Sequence, residues 1–191
     1  TVIESADDTL IQWTPIGDTI NDYSGEFDGN GKTISGLYFN QTTNYIGLFS
    51  STKNAEIHSV TIDNSYFSGY HNVAGIAGTA DSTKIYDCIN NARIQGGSGV
   101  SCAAGIVASA SFDTTITNCK NTGTIAGSKQ VGGIAGEAVY GGVKIEKCRN
   151  EGVIRSGYSF IGGIVGSING KETVIDCTNT GKVGSGGTVG G

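Results

Sequence analysis

Methionine is absent from this chain of 191 residues, proline and tryptophan occur once each, and His58 and His71 are the only histidines. Each scarcity excludes something. With two histidines and no His-Glu-x-x-His pair, the sequence holds no metallopeptidase centre. Leucine is confined to Leu10, Leu37 and Leu48, which rules out leucine-rich repeats. No apolar run approaches the ~18 residues that a membrane-spanning helix requires, so no membrane insertion is expected of this segment. Lysine and arginine number 12 against 17 acidic residues, for a net charge of −5 and a pI near 4.9. That balance argues against nucleic acid or an anionic membrane as partner. The missing methionine, together with a halt inside a repeat at Val189-Gly190-Gly191, leads to the expectation that the chain is a segment of a longer protein.

What the chain has in plenty is glycine, 32 residues, and the glycines recur in phase. Aligned on the glycine before an aliphatic residue, the copies are YIGLFS (Gly47), VAGIAG (Gly75), AAGIVA (Gly105), VGGIAG (Gly133), IGGIVG (Gly163) and a truncated VGG (Gly191), at intervals of 28, 30, 28, 30 and 28 residues. A fixed period of this size marks a repeat architecture, in which each unit buries its apolar face against its neighbours. A second phase runs between the glycines, around Cys88, Cys119, Cys148 and Cys177. Ile85, Ile116, Ile145 and Val174 stand three residues before these cysteines, Asn90, Asn121, Asn150 and Asn179 two after, and Ile94, Ile125, Ile154 and Val183 six after.

Short β-branched segments between Gly, Asn and Ser clusters read as strands. An offset of three puts the aliphatic residue and the cysteine on opposite faces of a straight strand, so a bend is expected between them. Each period reads as three short strands: a glycine-aliphatic strand, an Ile-x-x-Cys strand and a Gly-x-Ile strand. No segment has the 3.6-residue periodicity of a helical solenoid, and the predicted fold is an all-β parallel β-helix with 28–30 residues per coil. Residues 1–40 lack the repeat and are expected to form an N-terminal cap, with Trp13 plugging the open end of the core, while residues 41–191 form the stack.

The cysteine row invites a zinc or disulfide reading. Stacked side chains point the same way, however, whereas zinc needs converging thiolates and a disulfide needs opposed vectors. A ladder of free, buried thiols is predicted, with the aliphatic Val60 in the same slot of the first repeat. The asparagines are expected to form a structural ladder, each amide bonding the copies above and below. Asp28-Gly29-Asn30-Gly31 resembles the start of a calcium loop, but Phe39 stands where the twelfth-position glutamate belongs. No metal or cofactor is expected.

Catalysis on a β-helix needs clustered carboxylates. Asp87 and Asp176 lie three coils apart, about 14 Å at one rung per coil, beyond the spacing of either glycosidase class. No catalytic residue is assigned, and the segment is expected not to be an enzyme. Variable turns are the remaining place for function, and Tyr70, Phe112, Tyr140 and Tyr158 are the candidate binding residues, suited to stacking on a sugar or anchoring a protein partner.

Trp13-x-Pro-Ile-Gly17, then FDGNGKTISGL from Phe27, then repeated GGIAG and I-x-N-C-x-N-x-G-x-I together resemble GLUG-repeat proteins. These are bacterial surface or secreted proteins, found with adhesin-like regions and as accessory repeats of IgA-specific metallopeptidases. The resemblance covers roughly residues 13–191. It implies a right-handed β-helix and an extracellular setting, at the cell surface or secreted, and it implies no catalytic residue. Three functions follow as expectations: a noncatalytic stalk or adhesive segment binding an extracellular glycan or protein, an accessory region of a larger secreted metallopeptidase, or a carbohydrate-active β-helix enzyme.

Overall fold

The computed structural model describes residues 6, 7, 9–99 and 102–185, none of them helical. The last glycine copy, at Gly191, and Val2 and Ile3 of the predicted cap lie outside the described residues. The chain winds into a parallel β-solenoid of about five turns. In the turn that starts at His71, the strands are His71–Ala74, Ala77–Asp81, Lys84–Tyr86, Ile89–Asn90 and Arg93–Gly96. Every one of them pairs in parallel with its copies in the neighbouring turns.

Stacking produces four sheets. The first contains His71–Ala74, the second Ala77–Asp81 and the fourth Arg93–Gly96. The third sheet is ten-stranded and has two arms, because the long strand Glu56–Asp63 pairs with Lys84–Tyr86 through its first half and Ile89–Asn90 through its second.

The three predicted strands per coil are therefore resolved into five shorter ones. The glycine-aliphatic segment breaks at Gly75-Ile76, where the chain turns from the first sheet into the second. The Ile-x-x-Cys segment breaks one residue before the cysteine, at the anticipated bend. Asp87, Asn118, Lys147 and Asp176 hold that corner with φ of 54°, 52°, 54° and 53°, and Ser59 holds it in the preceding turn with φ of 56°. A left-handed residue reverses the face its successor presents, and so both the isoleucine and the cysteine three residues later point inward.

Inside, like stacks on like. Ile57, Ile85, Ile116 and Ile145 form one column and Ile94, Ile125 and Ile154 another, and all seven are buried. Each such side chain contributes about 1.5–3 kcal/mol of burial. Only the neighbouring turns can cover these residues, which is why the repeat has to be kept in register.

The first turn would leave an open strand edge if residues 13–25 did not close it. Ile16 N–H donates to Leu48 O at 3.0 Å and Ser50 N–H to Ile16 O at 2.9 Å, and Tyr23 repeats the pattern with Ser51 and Lys53. Trp13, Ile16, Tyr23 and Phe27 pack on the core end, with the Tyr23 and Phe27 rings 4.8 Å and 5.3 Å from that of Phe49. Covering an edge this way removes a template for unwanted pairing. From Glu26 onward the chain is already stacked, since Glu26–Ser35 pairs with Glu56–Asp63.

Candidate functional site

The two conspicuous rows of the sequence lie inside the solenoid. Asn90 Nδ2 donates to Asn121 Oδ1 at 2.8 Å, Asn121 to Asn150 at 2.7 Å and Asn150 to Asn179 at 2.7 Å. Each amide also donates to a carbonyl of its own turn, Ala92, Gly123, Gly152 or Gly181. The glycine markers face this ladder across the core: a Cβ on Gly105 would come within 2.6 Å of Asn121, and one on Gly133 within 2.5 Å of Asn150. The two recurring motifs are thus halves of one contact.

The cysteines are all free. Cys88, Cys119, Cys148 and Cys177 turn their Sγ atoms toward the carbonyls of Ile57, Ile85, Ile116 and Ile145 at 3.5–3.8 Å. Burial pushes the Cys119 thiol well above the ordinary range. Cys102 stands apart, 3.5 Å from Gln130 Oε1, and burial together with the Glu137 charge pushes its thiol up too. Among the described residues no three His, Cys, Asp or Glu side chains converge as a metal would require. Asp28 accepts the Asn30 N–H at 2.7 Å, so the apparent start of a calcium loop is a local turn.

The four candidate aromatics are all exposed, but only two of them meet. Phe112 and Tyr140 occupy the same corner of successive turns, immediately after the paired Ser111 and Val139. Their rings stack with centroids 5.7 Å apart at an interplanar angle of 22°. Tyr70 and Tyr158 sit on the edge between the fourth and first sheets, three rungs apart, about 14 Å. Tyr70 packs edge-on against His71 at 4.3 Å and covers Gly99, where a Cβ would reach the phenol oxygen at 2.8 Å. Tyr158 is 72% exposed, and beside it Phe160 is 52% exposed. Phe160 was missed as a candidate, although it lies in the same SGYSF turn.

The Phe112–Tyr140 corner is locally unfavourable. The column runs Asn54, Ser82, Phe112, Tyr140, Gly170, and every member has positive φ: 52°, 48°, 51°, 64° and 134°. Asn and Gly tolerate that conformation, whereas a bulky side chain costs roughly 1–2 kcal/mol. The rings return little of this through burial, since Phe112 is 47% and Tyr140 76% exposed.

The turn itself also changes along the stack. It has two residues after Lys53 and after Asp81, three after Ser111, four after Val139 and three after Asn169. The additions are Asp113, the pair Gly141-Gly142, and Lys171, while Glu172 takes the place of Ala55, Thr83, Thr114 and Val143 in the other turns. Gly141 and Gly142 both have φ of 79°, and a Cβ on Gly142 would collide with the Asp113 carboxylate. From the other side, Glu172 Oε1 accepts the Gly141 N–H at 2.8 Å, while its Oε2 is shielded from solvent without a hydrogen-bond partner. Two carboxylates from flanking turns therefore bracket the double glycine beside the ring stack.

A second constellation escaped the sequence reading. His58 lies flat on Tyr86, ring centroids 4.6 Å apart at 2°, with Nε2 3.4 Å from Glu26 and Nδ1 3.5 Å from Asp28. Tyr86 donates to Glu56 at 2.8 Å, and that bond, more than burial and the nearby carboxylate charges, pushes its phenol up to about 12. Residues 58 and 86 differ by 28, one repeat, and that interval was the available signal. Asp87 and Asp176 are separated by Asn118 and Lys147 in one exposed column, and Asn118 Nδ2 donates to Asp87 at 2.5 Å.

No family model matches the chain. Over 38 residues, 19% of this chain, it is 53% identical to a candidate Gly-rich membrane protein from Evansella cellulosilytica, of which the match covers 4%. Its fold is similar to that in the crystal structure of a candidate immunoglobulin A1 protease from Bacteroides ovatus, with a TM-score of 0.68 and 19% identity, covering 93% of this chain and 57% of that one. The chain thus spans less than two thirds of either protein. At that identity the structural likeness establishes a shared β-solenoid fold.

Proposed function

We propose that the chain is a noncatalytic, GLUG-type β-solenoid segment of a larger extracellular protein, acting as a rigid spacer whose turn edge binds a glycan or protein. The observation that carries this reading is the exposed Phe112–Tyr140 stack, held in backbone that disfavours it and adding little to the core. Side chains that oppose local preference on a rigid scaffold are characteristic of functional sites. Repetition of such a segment on a surface would raise effective concentration and turn modest affinity into adhesion.

The likeness to a candidate immunoglobulin A1 protease favours a second form of the same reading, in which the segment is an accessory repeat region of a secreted peptidase. Both forms make the same demand on this chain. On a glycan and matrix-protein array the chain binds reversibly, Phe112→Ala with Tyr140→Ala abolishes the signal, and incubation with polygalacturonate and related polymers releases no reducing ends. Steady product formation that survives repurification would overturn the noncatalytic reading and direct attention to Asp87, Asp113 and Asp176. Array binding indifferent to the double variant would remove the corner from it.

A further inference from the structure

We infer that the Phe112–Tyr140 corner is a subsite for a neutral pyranose ring, with Asp113 and Glu172 as acceptors for its hydroxyl groups. This rests on the reading of that corner as a binding edge and adds the ligand's chemistry. Three independent features meet there. The aromatic rings occupy positions that Asn54, Ser82 and Gly170 fill in other turns. The connecting turn is lengthened after Ser111 and Val139, where the rings stand, and after Asn169 in the next turn, but not after Lys53 or Asp81. The added residues bring in Asp113 and the double glycine, and Glu172, at the position that Val143 fills in the preceding turn, reaches Gly141 from the other side. In a solenoid, insertions gathered on one edge mark the surface that meets a ligand.

The choice of ligand follows from the shape of the stack and from an unmet hydrogen bond. Rings inclined by only 22° lie nearly parallel, and with Gly170 next in their column an exposed flat ring face is left, not the mutually perpendicular walls that enclose a quaternary ammonium group. A flat surface suits the C–H face of a sugar ring, which is apolar over its ring carbons and polar around its rim. Glu172 Oε1 is engaged by Gly141 N–H, and Oε2, shielded from solvent, has no hydrogen-bond donor among the described residues. Rotation of the Glu172 side chain away from Gly170 exposes that oxygen to a rim hydroxyl, which donates to it in a charge-assisted bond. Gly142 holds the Asp113 carboxylate beside the same turn, because any larger residue would displace it.

The test titrates the whole chain with gluco-, manno- and galacto-configured neutral hexasaccharides and, separately, with hexalysine. Calorimetry gives the affinities, and saturation-transfer NMR identifies the contacting protons. The expected result is millimolar binding of at least one hexasaccharide, with transfer to its ring C–H protons. Tyr140→Ala weakens that binding about tenfold or more, Asp113→Asn and Glu172→Gln about fivefold each, and Tyr140→Phe leaves it nearly intact. Glu172→Gln keeps an acceptor for Gly141 N–H, so its effect is separable from loss of the turn. Hexalysine binding without sugar binding would overturn the inference in favour of a cation site. A protein captured on the array through Tyr140, with every sugar inert, would overturn it while leaving the binding edge standing.

Discussion

The interior of the solenoid and its Phe112–Tyr140 corner obey opposite rules. Inside, each turn repeats the residue of the last because the repetition is itself the stabilising contact: amide on amide, isoleucine on isoleucine, thiol beside thiol. At the corner, residue types change from turn to turn while the left-handed backbone stays, so conformation is conserved and chemistry is free to vary. The comparison teaches that repetition reports on packing, and that departures from it within a fixed backbone are where a specific contact can be built.

The largest effect expected from breaking the interior rule is that of Gly105→Val. Its side chain would strike Asn121 and the Gly133 carbonyl, neither of which has room to move. Overpacking of that kind, added to a disrupted ladder, costs about 3 kcal/mol or more, and urea denaturation should show it as a lowered midpoint or as failure to fold. Asn121→Leu comes next. It leaves Asn90 and Asn150 each short of a partner in a buried row, at about 2–4 kcal/mol in all. The same change at the exposed Asn179 should cost under about 1 kcal/mol, and equal losses at the two sites would refute the idea that burial gives the ladder its value.

A gentler perturbation uses pH. Burial raises the Cys119 thiol in the folded chain, so the protonated form is favoured there. The associated stability is fully present below the unfolded thiol's pKa of ~8.5 and is lost as pH rises from that value toward the folded one. Thermal melting should therefore fall from pH 8 to pH 10 more steeply in the parent than in Cys119→Val. Alkylation without reductant should reach all five thiols in denaturant, and a pair protected until reductant is added would refute the free ladder.

The smallest effect, and the one with opposite sign, belongs to the corner. Tyr140→Asn places a residue tolerant of positive φ where Asn54 already sits in the same column, and stability should rise by up to about 1 kcal/mol while ligand binding disappears. A loss of stability instead would mean that the ring stack serves the fold.

These two regions were unequally legible. The period, the parallel stack, the free thiol row and the amide ladder all followed from residues recurring at one interval, because identical neighbours in a solenoid can only lie on top of one another. The division into five strands followed only in part: the odd offset implied the bend before each cysteine, although its corner residues Asp87, Asn118, Lys147 and Asp176 share no type, whereas the break at Gly75-Ile76 was not anticipated. Lysine at 147 gives no turn signal; tertiary stacking holds it in the left-handed form. The contact between the glycine markers and the asparagines was hidden for a similar reason, as it spans the core between segments about half a turn apart in sequence. Among the exposed aromatics, type alone nominated Tyr70, Phe112, Tyr140 and Tyr158. Applying the repeat interval to them would have paired Phe112 with Tyr140, just as it would have found His58 and Tyr86.

In the asparagine ladder every inter-turn bond runs from Nδ2 to the Oδ1 of the following turn, from Asn90 through to Asn179. Rotating any one interior amide by half a revolution would set two NH2 groups against each other on one side and two carbonyls on the other. No single amide can therefore reverse alone, and reversing all four is barred as well, because each Oδ1 would then face the own-turn carbonyl that its Nδ2 now serves. The file thus has one direction, fixed at every rung by the backbone of that turn, and each dipole in it reinforces the next along the solenoid axis.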